Sequence, residues 1–364
     1  MRLPRGARIW LVVLSHSILT AMNRLLVVLA IASCAKSDPA PSQDKPLDRG
    51  GAVAPDKKLQ PPDASTPAPI QSDEPPDLAA TKALADKACP KVAAPYFYRI
   101  EKAGKVSYIL GSRHLGVSLA KMPKEVTDPL RVARRVVFET PPGEDAPDQP
   151  GDGKSLADQL GPALWARYQK LVGASTASLA EHAKPAVAML AMMMLYEDKM
   201  SALDNEIETL VTGAHIPTGG LETSAFQDKL LNELLDVRML KAAIAGTPDR
   251  ATLEHALIDD LGDYCAGTDH DPGMDKRTRA QMIAGGYTEA EIAKLDEKLV
   301  DARNRDWIPK LDPMLSKGDV FVVVGADHLI GPHGVIAMLG ARGFTTSRVA
   351  PGSIGKEAGT NPPK

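Results

Sequence analysis

Aromatic side chains are scarce in this sequence, 4% of its residues, which excludes the stacking platforms that hold single-stranded nucleic acid. A dominant charge is missing as well. Lys and Arg number 43 against 46 Asp and Glu, so no basic field draws in nucleic acid or anionic lipid. No uninterrupted apolar run reaches the roughly 20 residues that a spanning helix needs. Neither His-Glu-x-x-His nor Gly-x-Ser-x-Gly occurs, so the signatures of zinc peptidases and of serine hydrolases are absent. Near-matches fail on their chemistry. Gly153-Lys154-Ser155 looks like the end of a phosphate-binding loop, but Asp148 stands where that loop needs glycine. Residues 118–121 spell Ser-x-x-Lys without its companion motifs. Asp269, His270, Asp271 and Gly273 supply only part of a calcium loop.

Cysteine is rare too, and each of the three has a place in the argument. Cys34 follows Ile31-Ala32-Ser33, behind apolar stretches at residues 9–19 and 25–32 and the basic Arg24. Small residues before a cysteine, after a basic and then an apolar region, resemble the bacterial lipoprotein signal. That resemblance implies loss of residues 1–33 and a lipid on Cys34 that holds the chain to a membrane. The expected location is the cell envelope, facing the periplasm or the outer surface. Met22 is an alternative start, since a complete short signal follows it. Cys89 and Cys265 remain as a pair, to be read either as one disulfide or as two buried thiols. Residues 34–88 are rich in Pro, Asp, Ser, Gln and Lys and bury too little apolar surface to order themselves, so a disordered tether is expected. The folded domain is expected over residues 89–350 and a disordered tail over 351–364.

Within that domain two stretches match each other. Residues 106–114 read VSYILGSRH and residues 319–328 read DVFVVVGADH. Each is an apolar, partly β-branched run that stops at a glycine with a histidine three residues later. Such runs read as buried strands, and the histidines then lie just past the carboxyl ends, where open α/β sheets place ligands. Two further runs close on carboxylates: residues 135–139 end at Glu139 and residues 216–222 at Glu222. If the four strands are parallel neighbours, His114, Glu139, Glu222 and His328 share one pocket. The rest of the domain alternates hairpin, helix and strand patterns. This implies a single α/β domain with a mixed, largely parallel sheet and surrounding helices. Two jobs suit His with Glu: holding a divalent metal that activates water, or general-base catalysis by a histidine tuned by a carboxylate. The residues alone leave both open.

The order of the pieces resembles the TraB/GumN family, to which the Tiki-type proteases belong. The matching residues are Leu110-Gly111-Ser112-Arg113-His114, Phe138-Glu139, Gly220-Leu221-Glu222-Thr223 with Gln227, Arg303-Asn304 with Trp307, and Gly325-Ala326-Asp327-His328. Asp204 falls on a Leu-Asp pair of that pattern and reads as a helix cap. The resemblance implies a metal-dependent, peptidase-like hydrolase. A divalent ion (Mn, Co or Zn) would be held by His114, Glu139 and His328. Glu222 would serve as base or supporting partner, and Arg303 would stabilise an oxyanion or orient a carboxylate. The substrate would be a peptide or a small polar molecule outside the cytoplasm. Similar folds occur in erythromycin esterases and in a haem-binding lipoprotein, so metal-free ester hydrolysis and ligand binding stand as alternatives. Two positions depart from the pattern. Ser112 replaces its usual threonine and keeps the hydroxyl. Arg113 puts a cation beside His114, which would weaken metal binding there or meet a substrate carboxylate.

Overall fold

The apolar run of residues 320–325 becomes one of the two central strands of a six-stranded sheet, with both of its faces covered. The computed structural model describes residues 78–113, 116–144, 153–194, 202–268 and 276–352. In chain order its elements are α1 (Leu78–Ala88), β1 (Tyr96–Lys102), β2 (Lys105–Ser112), α2 (Lys124–Val132) and β3 (Arg135–Phe138). A helical stretch follows: α3 (Leu156–Leu160), α4 (Pro162–Val172), α5 (Ala174–Ala180), α6 (Pro185–Met194) and α7 (Leu203–Gly213). After β4 (Thr218–Gly220) come α8 (Ser224–Leu234), α9 (Val237–Gly246), α10 (Arg250–Ala266), α11 (Lys276–Ala284) and α12 (Glu289–Asp296). A π turn over Glu297–Asp301 leads into α13 (Ala302–Leu315), then β5 (Val320–Gly325), α14 (Val335–Ala341) and β6 (Thr345–Arg348).

The six strands lie in the order β4-β3-β5-β2-β1-β6. The pairs β4–β3, β3–β5 and β5–β2 are parallel, and the hairpin β1–β2 and the edge pair β1–β6 are antiparallel. The four strand ends singled out by sequence are therefore parallel neighbours, as the shared-pocket reading requires. Register aligns Ser112 with Gly325 and Phe138 with Gly220, so the carboxyl ends stand along one edge. The hairpin turns through Ala103 and Gly104, both at positive φ, a geometry that suits the twist of the two strands.

Period-two alternation sorts the sheet residues between two cores. Val322 and Val324 pack with Ile109, Val137, Trp307, Leu311 and Leu339 under α13 and α14. Phe321 and Val323 pack on the other face with Leu110, Val136, Val126, Ile207 and Leu261, from α2, α7 and α10. A third core, including Leu156, Tyr168, Met189, Leu231 and Leu240, belongs to the helices between β3 and β5.

Several boundaries differ from the sequence reading. Leu78–Ala88, the end of the expected tether, is a helix whose Ala85 and Thr81 are buried. The helix expected over residues 155–172 is two, broken at Gly161 with φ 78° ahead of Pro162. That expected over 224–245 is also two, because Asp236 accepts from Met239 N and caps a new start. The long helix expected over 288–315 runs through the π turn. Asp204 lies in the first turn of α7 behind Ala202, the residue at the cap. Cys89 and Cys265 are joined in a disulfide with Cα atoms 5.6 Å apart. The signal segment, Cys34, His114 and the tail beyond residue 352 lie outside the described residues. Among the described residues no helix is long and apolar enough to cross a membrane.

Candidate active site

Glu139 is the first residue past β3, and it stitches two neighbouring strands. Its Oε1 accepts from Gly325 N at 2.7 Å, tying the end of β3 to the end of β5. Its carbonyl accepts from Glu222 N at 2.8 Å, which sets the two glutamates side by side. Both are buried, at 6% and 8% exposure. Two ionised carboxylates so placed need a partner. That partner comes from α13.

Directly after the π turn, a feature common at functional sites, α13 presents Arg303, Asn304 and Trp307 inward, all buried. Arg303 Nε lies 3.1 Å from both oxygens of Glu222. Its Nη2 donates to Glu222 Oε1 at 2.6 Å and to Glu139 Oε2 at 2.7 Å. One guanidinium thus bridges both carboxylates, with the charge-assisted bonds for which arginine is suited. Gln227 Nε2 donates to each glutamate at 3.1 Å, and Trp307 Nε1 donates to Glu222 Oε2 at 3.1 Å. Burial pushes the Glu222 carboxyl above its ordinary range, helped by the charge of Glu139 and opposed by Arg303 and Trp307. For Arg303 burial works downward, yet the two glutamates outweigh it and hold the guanidinium above its usual value.

His328 closes the short turn after β5 and is 4% exposed. Asn304 Nδ2 donates to the carbonyls of His328 and His333, at 3.2 Å and 3.0 Å. This orients the amide so that Asn304 Oδ1, 2.7 Å from His328 Nδ1, is an acceptor. The hydrogen therefore sits on Nδ1. Nε2 presents its lone pair to Arg303 Nη1 at 3.1 Å, with Glu139 Oε1 3.9 Å away. The indole of Trp307 lies against the ring, centroids 4.4 Å apart.

The structure thus brings Glu139, Glu222, Arg303 and His328 together, with Gln227, Asn304 and Trp307 from the same motifs. A match to the model of the TraB/PrgY/gumN family runs over residues 96–348, from the first strand to the last. The chain belongs to that family. Family membership covers the whole sheet and every motif in the cluster. Neither the curated proteins nor the solved structures yield a match.

Arg113, the departure from the family pattern, has a structural answer. It forms a buried ion pair with Asp260 of α10, and its Nη2 donates to Leu257 O at 3.3 Å. Asp260 went unread in the sequence because nothing in its spacing marks it. The His333 side chain points to the surface and pairs with Asp301, so that only its carbonyl meets the cluster, through Asn304, and Met192 is helix core.

Of the three expected metal ligands, Glu139 and His328 are among the described residues. No group of three or more His, Cys, Asp or Glu side chains able to hold a metal occurs among those residues. The donors that are described face a guanidinium: Nε2 of His328 and Oε2 of Glu139 both receive hydrogens from Arg303. A divalent ion beside them would sit against a fixed positive charge. With those Arg303 hydrogens in place His328 Nε2 and Glu139 Oε2 are not open to an ion, and His114, the third expected ligand, lies outside the described residues.

Proposed function

We propose that this chain is a cell-envelope hydrolase of peptides or other small polar molecules, with His328 as its general base. The observation that carries the reading is the imidazole itself. It is buried, fixed with its hydrogen on Nδ1 by Asn304, and its basic nitrogen faces Arg303 and Glu139 at the strand ends. In the proposed reaction water attacks the scissile carbonyl while His328 Nε2 takes the water's proton. Arg303 stabilises the oxyanion in place of its contact with Nε2, and Glu139 supports the imidazolium. Collapse breaks the C–N or C–O bond, and the proton on Nε2 passes to the leaving amine or alcohol. Glu222, Gln227 and Trp307 hold the guanidinium in place. An envelope location is supported by the residues preceding Cys34 and by a disulfide, a bond of oxidising compartments.

The test is a pooled peptide and ester hydrolysis screen on purified protein, with and without exhaustive chelation. Hydrolysis that survives chelation is expected. Activity abolished by chelation and restored by Mn, Co or Zn would put a metal, not a free imidazole, at the centre. No hydrolysis across both panels would remove the hydrolase reading.

A further inference from the structure

Helix α10 meets the carboxyl end of β2 with two side chains one turn apart, and the function above uses neither. Asp260, 8% exposed, pairs with Arg113, 7% exposed. Tyr264 donates its hydroxyl to Gly111 O at 2.8 Å. The backbone of Gly111 in turn lies directly against the turn that carries His328. A Cβ added at Gly111 would come within 2.9 Å of Ala326 Cα and 3.0 Å of Leu329 Cδ1. The next residue, Ser112, is in register with Gly325, whose N–H holds Glu139. The same helix is also fixed at the residue after Tyr264, since Cys265 is bonded to Cys89 and Ala93 N donates to Cys265 O at 2.7 Å.

We propose that Arg113 and Asp260, with Tyr264, are positioning residues for His328: they press the end of β2 against residues 326–329 and so fix the ring within the Arg303 network. An ion pair suits this task better than an apolar contact, because a guanidinium fork on a carboxylate fixes direction as well as distance. The chain of contact runs from Asp260 to Arg113, through the backbone of Gly111 and Ser112, to Ala326 and Gly325, and on to His328 and Glu139. This rests on His328 being the working residue of the site, but its readout needs no turnover. A failed activity screen and a failed positioning test are therefore distinguishable.

The experiment records nitrogen–proton correlations of the imidazole rings in the full-length protein, with His328 assigned by its disappearance in His328→Gln. Wild type should show one Nδ1–H form for that ring. Asp260→Asn removes the carboxylate charge beside the buried Arg113 and should lower the melting temperature by roughly 10 °C. Arg113→Met with Asp260→Leu removes both charges and should recover most of that loss. The His328 signals should nevertheless stay shifted or broadened in the double variant, and in Tyr264→Phe, which loses a single hydroxyl. If the double variant does not fold, Tyr264→Phe decides. Wild-type His328 signals in a folded Tyr264→Phe, or in a folded double variant, would reduce these residues to ordinary packing and overturn the proposal.

Discussion

Replacing Arg303 with methionine keeps most of the side-chain volume and removes the charge at the centre of the cluster. The structure fixes what is lost. Glu222 gives up contacts at 3.1, 3.1 and 2.6 Å and Glu139 one at 2.7 Å. Two adjacent carboxylates, both less than a tenth exposed, keep neutral donors that include Gln227, Trp307 and the Gly325 N–H. Stranding a buried charge in this way costs about 3–5 kcal/mol at neutral pH, or roughly 6–20 °C in melting temperature for a domain of this size. The pH dependence has a definite sign. Burial already pushes Glu222 upward, and the variant removes the guanidinium charge that opposes it. A carboxyl raised on folding takes up a proton between its unfolded and folded values, so stability falls as pH rises through that window. The deficit of Arg303→Met should therefore shrink as pH is lowered from 7.5 to 5, by up to about 1.4 kcal/mol per pH unit for each proton taken up. Urea melts of wild type and variant at both pH values measure it. A deficit below about 1 kcal/mol at pH 7.5, or one that is no smaller at pH 5, would refute the reasoning.

Asn304→Leu should leave the imidazole free to change tautomer. Turnover should fall by about 100-fold or more for a stability cost of about 1–3 kcal/mol, measured by initial rates beside thermal melts. Cys89→Ser with Cys265→Ser should destabilise the domain by up to about 5 kcal/mol, the chain-entropy limit for so long a loop. The same loss should appear when wild type is melted in reductant. Cys34→Ala should move the protein from the membrane fraction to the soluble one, read by fractionation; a variant that stays with membranes would speak for an uncleaved anchor.

The strand ends were legible because each carries its own local signal. A β-branched run that stops at glycine needs no distant information, and β2 and β5 both fall where that pattern places them. Glu139 closes an apolar run of its own, directly past β3, whereas the strand expected over residues 216–222 is only Thr218–Gly220, so Glu222 stands two residues beyond it. What joins the two glutamates was not legible. Arg303 is 164 residues from Glu139 and 81 from Glu222, and a cation on a polar helix reads as a solvated face until the fold buries it. The family pattern, not periodicity, marked it. Asp260 had no signal at all: its partner Arg113 is 147 residues away, and an acidic residue inside α10 looks like any surface charge. The disulfide was legible only as a possibility, since 176 residues separate its ends. The breaks at Gly161 and Asp236 are local chemistry, and a glycine before proline or an aspartate cap was there to be read.

Turnover by His328→Gln tests the central claim most directly. The variant, assayed beside wild type on the best substrate from the screen, should melt within a few degrees of wild type and lose at least about 100-fold in kcat. A folded His328→Gln that hydrolyses at the wild-type rate would show that the imidazole beside Arg303 is not where the reaction takes place.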